Sequence, residues 1–158
     1  MNVLVAYASR HGSTKGIAER IAADLRDAGL SADAEPVDQV HDLNRYDAFV
    51  IGGAAYMFHW LKEATNFVKR HHSLLSQRPV WLFSSGPLGT ELMDEEGRDI
   101  LEATKPREFD ELSALIHPQE ERVFFGARGP RHTTGRARRA APAPHASREG
   151  RHSRRRLP

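Results

Sequence analysis

The chain has 158 residues, 39% hydrophobic and 28% charged, which suits one globular domain with a single core. It has no cysteine, which excludes disulfides, thiolate metal centres and a cysteine nucleophile, and no run approaches the ~20 apolar residues of a bilayer-spanning helix. The formal net charge of +2 is unevenly spread: residues 127–158 hold ten Arg and one Glu, a net of +9, which leaves −7 on residues 1–126. An acidic body, 1–126, and a basic tail, 127–158, are therefore read as separate units. The first residues lack the basic start and long apolar run of a secretory signal, so the expected location is the cytoplasm.

Residues 2–7, with Val3-Leu4-Val5-Ala6-Tyr7, read as a buried strand because the run is short, partly β-branched and continuously apolar. Ser9-Arg10-His11-Gly12-Ser13-Thr14 follows, and then a helical stripe of Ile17, Ile21 and Leu25 flanked by Ala18 and Ala22, from about Thr14 to Ala28, with Gly29 as its stop. Strand, glycine- and hydroxyl-rich turn and helix in that order make a phosphate site. The turn points backbone N–H groups outward, the helix start adds roughly half a positive charge, and Ser9, Ser13 and Thr14 add hydroxyls. Ordinary N-capping by Ser or Thr is the competing reading. His11 is either a loop residue without chemistry or an imidazole facing the phosphate.

Residues 31–37 alternate small and polar residues, and Pro36 suits an edge strand. Residues 38–46 suggest a short helix or turn. Asp47-Ala48-Phe49-Val50-Ile51-Gly52-Gly53 is the strongest central strand; its terminal glycines mark a sharp turn or a close approach. A helix is expected over 60–72, with Leu61, Ala64, Phe67 and Val68 on one face. A strand follows over 79–85, then Gly86-Pro87-Leu88-Gly89, an acidic stretch of loop and loose helix over 90–106, a helix over 108–116 and a last strand over 122–126.

Alternating strands and helices imply a doubly wound parallel sheet, in which ligands bind at the carboxyl ends of the strands. The loops Ser9–Thr14, Gly52–Trp60 and Ser84–Gly89 would all lie on that edge. Tyr7, Ser9, Gly12, Thr14, Ala18 and Ile21 together match the phosphate-loop pattern of the flavodoxins, with Ala6 the one smaller-than-usual residue, and over residues 1 to about 126 the chain resembles that family. The resemblance implies a five-stranded sheet of order 2-1-3-4-5 and FMN as cofactor. It places the phosphate on Ser9, Arg10, His11, Gly12, Ser13 and Thr14, and the isoalloxazine ring between Ala54, Ala55, Tyr56, Met57 and Trp60 on one side and Ser84, Ser85, Gly86, Pro87 and Gly89 on the other. Aromatic side chains suit a flat ring, although core packing is the other reading of Tyr56 and Trp60. Ser-Arg-His-Gly-Ser-Thr and Tyr-Met-Phe-His-Trp look closest to flavodoxin-domain proteins common in actinobacteria, relatives of the menaquinone-dependent protoporphyrinogen oxidases.

The implied function is FMN-dependent electron transfer or oxidoreduction, with a redox protein or quinone as partner. If the protein is an enzyme, it is an FMN-dependent oxidoreductase; no nucleophile stands out. A porphyrinogen-oxidising role is the alternative, although no membrane-inserting apolar loop is seen. A flavodoxin-fold binding module without flavin is the alternative of another class. His59, His71 and His72 make no joint metal site, and Asp94-Glu95-Glu96 reads as a solvated face or a patch for a basic redox partner. In the tail, Arg, Ala, Pro, Gly and His make up 26 of 32 residues, with Leu157 the one large aliphatic residue, so disorder is expected. The readings for it are non-specific anion binding, an inert extension, or the product of a reading-frame slip in a GC-rich gene. The family's last helix would then be missing, and one sheet face would be left open for self-association.

Overall fold

The computed structural model describes residues 1–88 and 92–126. In chain order the elements are β1 (Asn2–Ala8), α1 (Ser13–Asp27), β2 (Ser31–Pro36), β3 (Ala48–Tyr56), β4 (His59–Trp60), α2 (Lys62–Arg70), α3 (His72–Leu75), β5 (Val80–Leu88), α4 (Ile100–Ala103), α5 (Glu108–Ile116) and β6 (Glu120–Gly126). The long strands are parallel in the order β2-β1-β3-β5-β6, which is the expected 2-1-3-4-5 once the two-residue β4 is set aside; β4 pairs antiparallel to β3.

Each helix is set by its apolar spacing. Thr14, Ala18 and Ala22 form the buried stripe of α1, and small residues let the helix lie close to the sheet. Gly29 ends it at φ 91°, with Leu30 N–H reaching the Leu25 carbonyl at 3.0 Å, the left-handed stop that glycine makes easily. Two cores result. Leu4, Phe49, Ile51 and Leu82 pack beneath Phe67, Val68, Leu75, Phe109 and Leu112 of α2, α3 and α5. On the opposite face Val3, Val5, Ala48 and Phe83 meet Ala18 and Ala22, and among the described residues α1 supplies every helical side chain of that layer. Beside α1 an apolar groove of about 300 Å³ runs past Ile21, Leu25, Val50, Trp81 and Phe124. The expected loss of a last helix and the disorder of the tail concern residues 127–158, outside the described residues.

Several boundaries differ from expectation. The long helix expected over 60–72 starts at Lys62 and breaks at His71. Of the short helix or turn expected over residues 38–46, the structure has turns. Most informative is β3, which does not end at Gly52-Gly53 but continues to Tyr56. A Cβ on Gly52 would overlap the ring of Phe83, its neighbour across β5, and one on Gly53 would stand 2.7 Å from Trp60 Nε1. The two glycines seat aromatic side chains on a continuing strand; they do not turn the chain.

Candidate functional site

β1 delivers the chain to the carboxyl edge of the sheet, where residues 9–12 turn into α1. Gly12 caps the helix at φ 84°, and no atom lies within 4 Å of where its Cβ would project, so the turn is open to an approaching group. Its N–H donates to Ser9 Oγ at 3.1 Å, which holds the turn closed and leaves the Ser9 hydroxyl proton to donate elsewhere. The helix start has no side-chain cap and no acidic residue in its first turn, which carries Lys15 instead. A cation at the positive end of a helix dipole is the disfavoured arrangement; an anion bound at the turn would relieve it. Among the described residues, Arg10 and Lys15 make only exposed ion pairs, to Glu63 at 3.6 Å and Glu19 at 3.9 Å, so both are cheaply recruited to a ligand. A cavity of about 440 Å³ with mixed polar and apolar walls borders the turn, with Ser9, Arg10, Gly12 and Lys15 among its lining.

Thr14 lies beneath the turn. It is fully buried, and Thr14 Oγ1 shares a 2.8 Å hydrogen bond with Ser85 Oγ, itself buried at the end of β5. The hydroxyl thus ties the first loop to the third across 71 residues of sequence, and the turn is held from beneath. His11 is exposed and meets Tyr56 edge-on, with ring centroids 6.3 Å apart, so the first and second loops also touch.

The second loop is a hairpin that the sequence reading missed. Ala55 pairs with Trp60 and Tyr56 with His59, leaving Met57 and Phe58 as a two-residue turn. Both have positive φ, 48° and 68°, the backbone of a turn that favours Asn-Gly. Large side chains there cost on the order of 1–3 kcal/mol each. Tyr56, Met57 and Phe58 are all exposed, Met57 at 88%, so the hairpin presents an apolar tip at the edge of the site. Ala54 is buried and Ala55 half-buried at its base.

Trp60 is buried. Expected against the flavin ring, it is 2% exposed, donates its indole N–H to the Gly53 carbonyl at 3.0 Å and packs edge-on against Phe109 at 5.1 Å. Strand alternation accounts for this: Trp60 sits opposite Ala55 and turns beneath α5, leaving Tyr56 and Met57 on the surface.

In the third loop Ser84 is fully buried, and its Oγ has no hydrogen-bond partner among the described residues. Gly86 is crowded, since a Cβ would lie 2.8 Å from Val123 Cγ1. β5 continues through Pro87 to Leu88, and Gly89 lies outside the described residues. No cluster of metal-ligating side chains occurs among the described residues, and none of their helices is long and apolar enough to cross a membrane.

Sequence reasoning missed Glu108. The first residue of α5, it accepts the Trp60 backbone N–H on Oε2 and pairs with His59 Nδ1 through Oε1, each at 2.9 Å. Burial alone would raise its carboxyl, but the bonds from Trp60 and His59 outweigh that and hold it below the usual range. An acid at a helix start was visible in the sequence; the hairpin it grips was not.

Three loops thus meet at the carboxyl ends of β1, β3 and β5, where the strand order reverses between β1 and β3. The sequence model described as "Flavodoxin domain" matches residues 4–130. The chain belongs to this flavodoxin domain family. Membership brings with it the FMN cofactor and the redox function that the resemblance implied. The protoporphyrinogen IX dehydrogenase [quinone] of Escherichia coli K12 is 30% identical over 86 residues, 53% of this flavodoxin domain chain and 48% of the relative. That of E. coli O157:H7 matches to the same extent. The chain spans about half the length of the curated relatives it matches. Among solved structures, a flavodoxin from the domain Archaea superposes with a TM-score of 0.56 at 17% identity, covering 79% of this chain and 85% of that one. The two-electron reduced flavodoxin of Megasphaera elsdenii gives 0.59 at 17%, covering 82% and 88%. Rubredoxin oxygen:oxidoreductase from Desulfovibrio gigas gives 0.57 at 16%, covering 83% of this chain and 31% of that one. These likenesses speak to the fold.

The open cradle at Gly12, the uncapped helix start and the two weakly paired cations fit a phosphate. The exposed aromatic and thioether beside them fit a flat ring.

Proposed function

We propose that this flavodoxin domain is a cytoplasmic electron-transfer protein whose FMN lies across the carboxyl ends of β1, β3 and β5. FMN, when bound, supplies the capacity to accept and release electrons. Ser9, Arg10, Lys15 and the backbone of residues 10–13 take the phosphate; His11 and Tyr56 close the space between phosphate and ring, and Tyr56 and Met57 cover the ring. Thr14 and Ser85 act beneath the site, holding the loops in register. The observation that carries this reading is the joining of three loops at the strand-order reversal by the Thr14–Ser85 bond and the His11–Tyr56 contact.

A second reading, oxidation of a porphyrinogen with a quinone as acceptor, is favoured by the name of the curated relatives and by the exposed Tyr56-Met57-Phe58 tip, which offers a lipophilic acceptor an apolar approach. Titration of the full-length chain into FMN, followed by flavin fluorescence, tests the first reading. Saturable quenching at one equivalent is expected, and fluorescence that stays at the free-flavin level contradicts it. Protoporphyrinogen IX supplied with a soluble quinone then separates the two readings: oxidation accelerated by the loaded protein supports the second, and an unchanged rate leaves the simple carrier.

A further inference from the structure

The hairpin that carries Tyr56 and Met57 has a backbone it would not choose by itself. Neither Met57 nor Phe58 is a residue that readily takes positive φ; Met57 lies in solvent at 88% exposure and Phe58 is half-exposed at 49%, so packing at the tip does not by itself hold the turn. The hold comes from elsewhere in the chain. Arg107 N–H donates to the Phe58 carbonyl at 2.9 Å. The next residue, Glu108, spans two consecutive positions of β4, taking the Trp60 N–H on Oε2 and pairing with His59 on Oε1. Phe109 then packs against the Trp60 indole. Three successive residues of the α5 start thus grip three successive residues of the hairpin, and Glu108 supplies two of the polar contacts. Its side chain is only 21% exposed, so little water competes for those oxygens.

We propose that Glu108 is a positioning residue for the flavin ring: it fixes the Met57–Phe58 turn from α5 and so sets where Tyr56 and Met57 stand over the site. This rests on the FMN reading above. Glu108 touches no ligand; it acts through β4. Losing it leaves the phosphate turn intact, because none of its contacts reaches residues 9–14, but lets the strained turn relax and withdraw the ring platform.

The test uses full-length Glu108→Gln and Glu108→Ala. Gln keeps one carbonyl oxygen for the Trp60 N–H and loses the charged partner of His59, so its effect falls between wild type and Ala. FMN and riboflavin, which lacks the phosphate, are titrated against each protein, and the midpoint potential of bound FMN is measured. For Glu108→Ala the dissociation constants of FMN and riboflavin should rise by the same factor, about tenfold, with a shifted potential and faster amide exchange at Trp60. If Glu108→Ala does not fold, Glu108→Gln carries the comparison, with a smaller common factor. Affinities and potential within twofold of wild type, alongside faster Trp60 exchange, would overturn the positioning role. So would a loss confined to FMN, which would place the effect at the phosphate end. Wild-type protein that binds no FMN overturns the underlying reading, and this inference with it.

Discussion

The Thr14–Ser85 bond is the internal joint of the site, and its strength is open to a double-mutant cycle. Thr14→Val keeps the shape of the side chain but removes Oγ1, leaving the Ser85 hydroxyl, 4% exposed, without the partner it has at 2.8 Å. A buried hydroxyl stranded in this way costs about 1–3 kcal/mol. Ser85→Ala strands the Thr14 hydroxyl, 0% exposed, at a similar cost. The double variant removes both hydroxyls and strands neither, so it should lie only about 1 kcal/mol below wild type, with a coupling energy on the order of 1–3 kcal/mol. Urea unfolding of FMN-free protein measures all four corners. Single costs that add to the double within about 0.5 kcal/mol would refute the coupling. A Thr14→Val variant as stable as wild type without FMN, but weakened in FMN binding, would return Thr14 to the phosphate.

Three further outcomes follow from the geometry. Gly52→Ala drives a methyl into the buried Phe83 ring and should cost about 3 kcal/mol in urea unfolding, the upper end of overpacking, with part recovered in Gly52→Ala/Phe83→Leu. Met57→Asn/Phe58→Gly gives the hairpin its favoured turn residues and should raise thermal stability by a gain on the order of 1–3 kcal/mol while weakening FMN binding, since an exposed thioether is lost beside the ring. Glu108 has a depressed carboxyl, so the stability it contributes is present above the unfolded-state value and is lost as pH falls through its lower folded-state value. Acid unfolding curves of Glu108→Gln should therefore lack that part of the pH dependence seen in wild type below about pH 4.5, the ordinary range of a glutamate.

The parts of this protein that local sequence reveals are those built from local pattern. The α1 stripe, the apolar runs of β1 and β5 and the turn between Ser9 and Thr14 each declare themselves within a few residues, and alternating strands and helices then imply a parallel sheet, whose order the family resemblance supplies. What stayed hidden depends on partners distant in sequence. Gly52 and Gly53 read as a strand end because nothing local says that Phe83 and Trp60 will lie across them. The hairpin had no Asn-Gly signal, since Met57 and Phe58 take its strained turn under a constraint from residues 107–109. Trp60 looked like a ring platform because its burial depends on Phe109 and on the extra strand pairing that places it. Thr14 matched the family pattern at its position, yet its hydroxyl partner lies on another loop.

The central claim is that FMN lies against the loops 9–14, 54–59 and 84–88. Residue-resolved amide exchange of the full-length protein during an FMN titration tests it most directly. Saturable protection at Gly12, Ser13, Tyr56, Met57 and Ser85, with β2 and the outer surface of α1 unchanged, is the predicted result. Saturable FMN binding that protects residues 36–39 or the groove beside α1, and leaves Gly12 and Tyr56 exchanging as in the free protein, would contradict it.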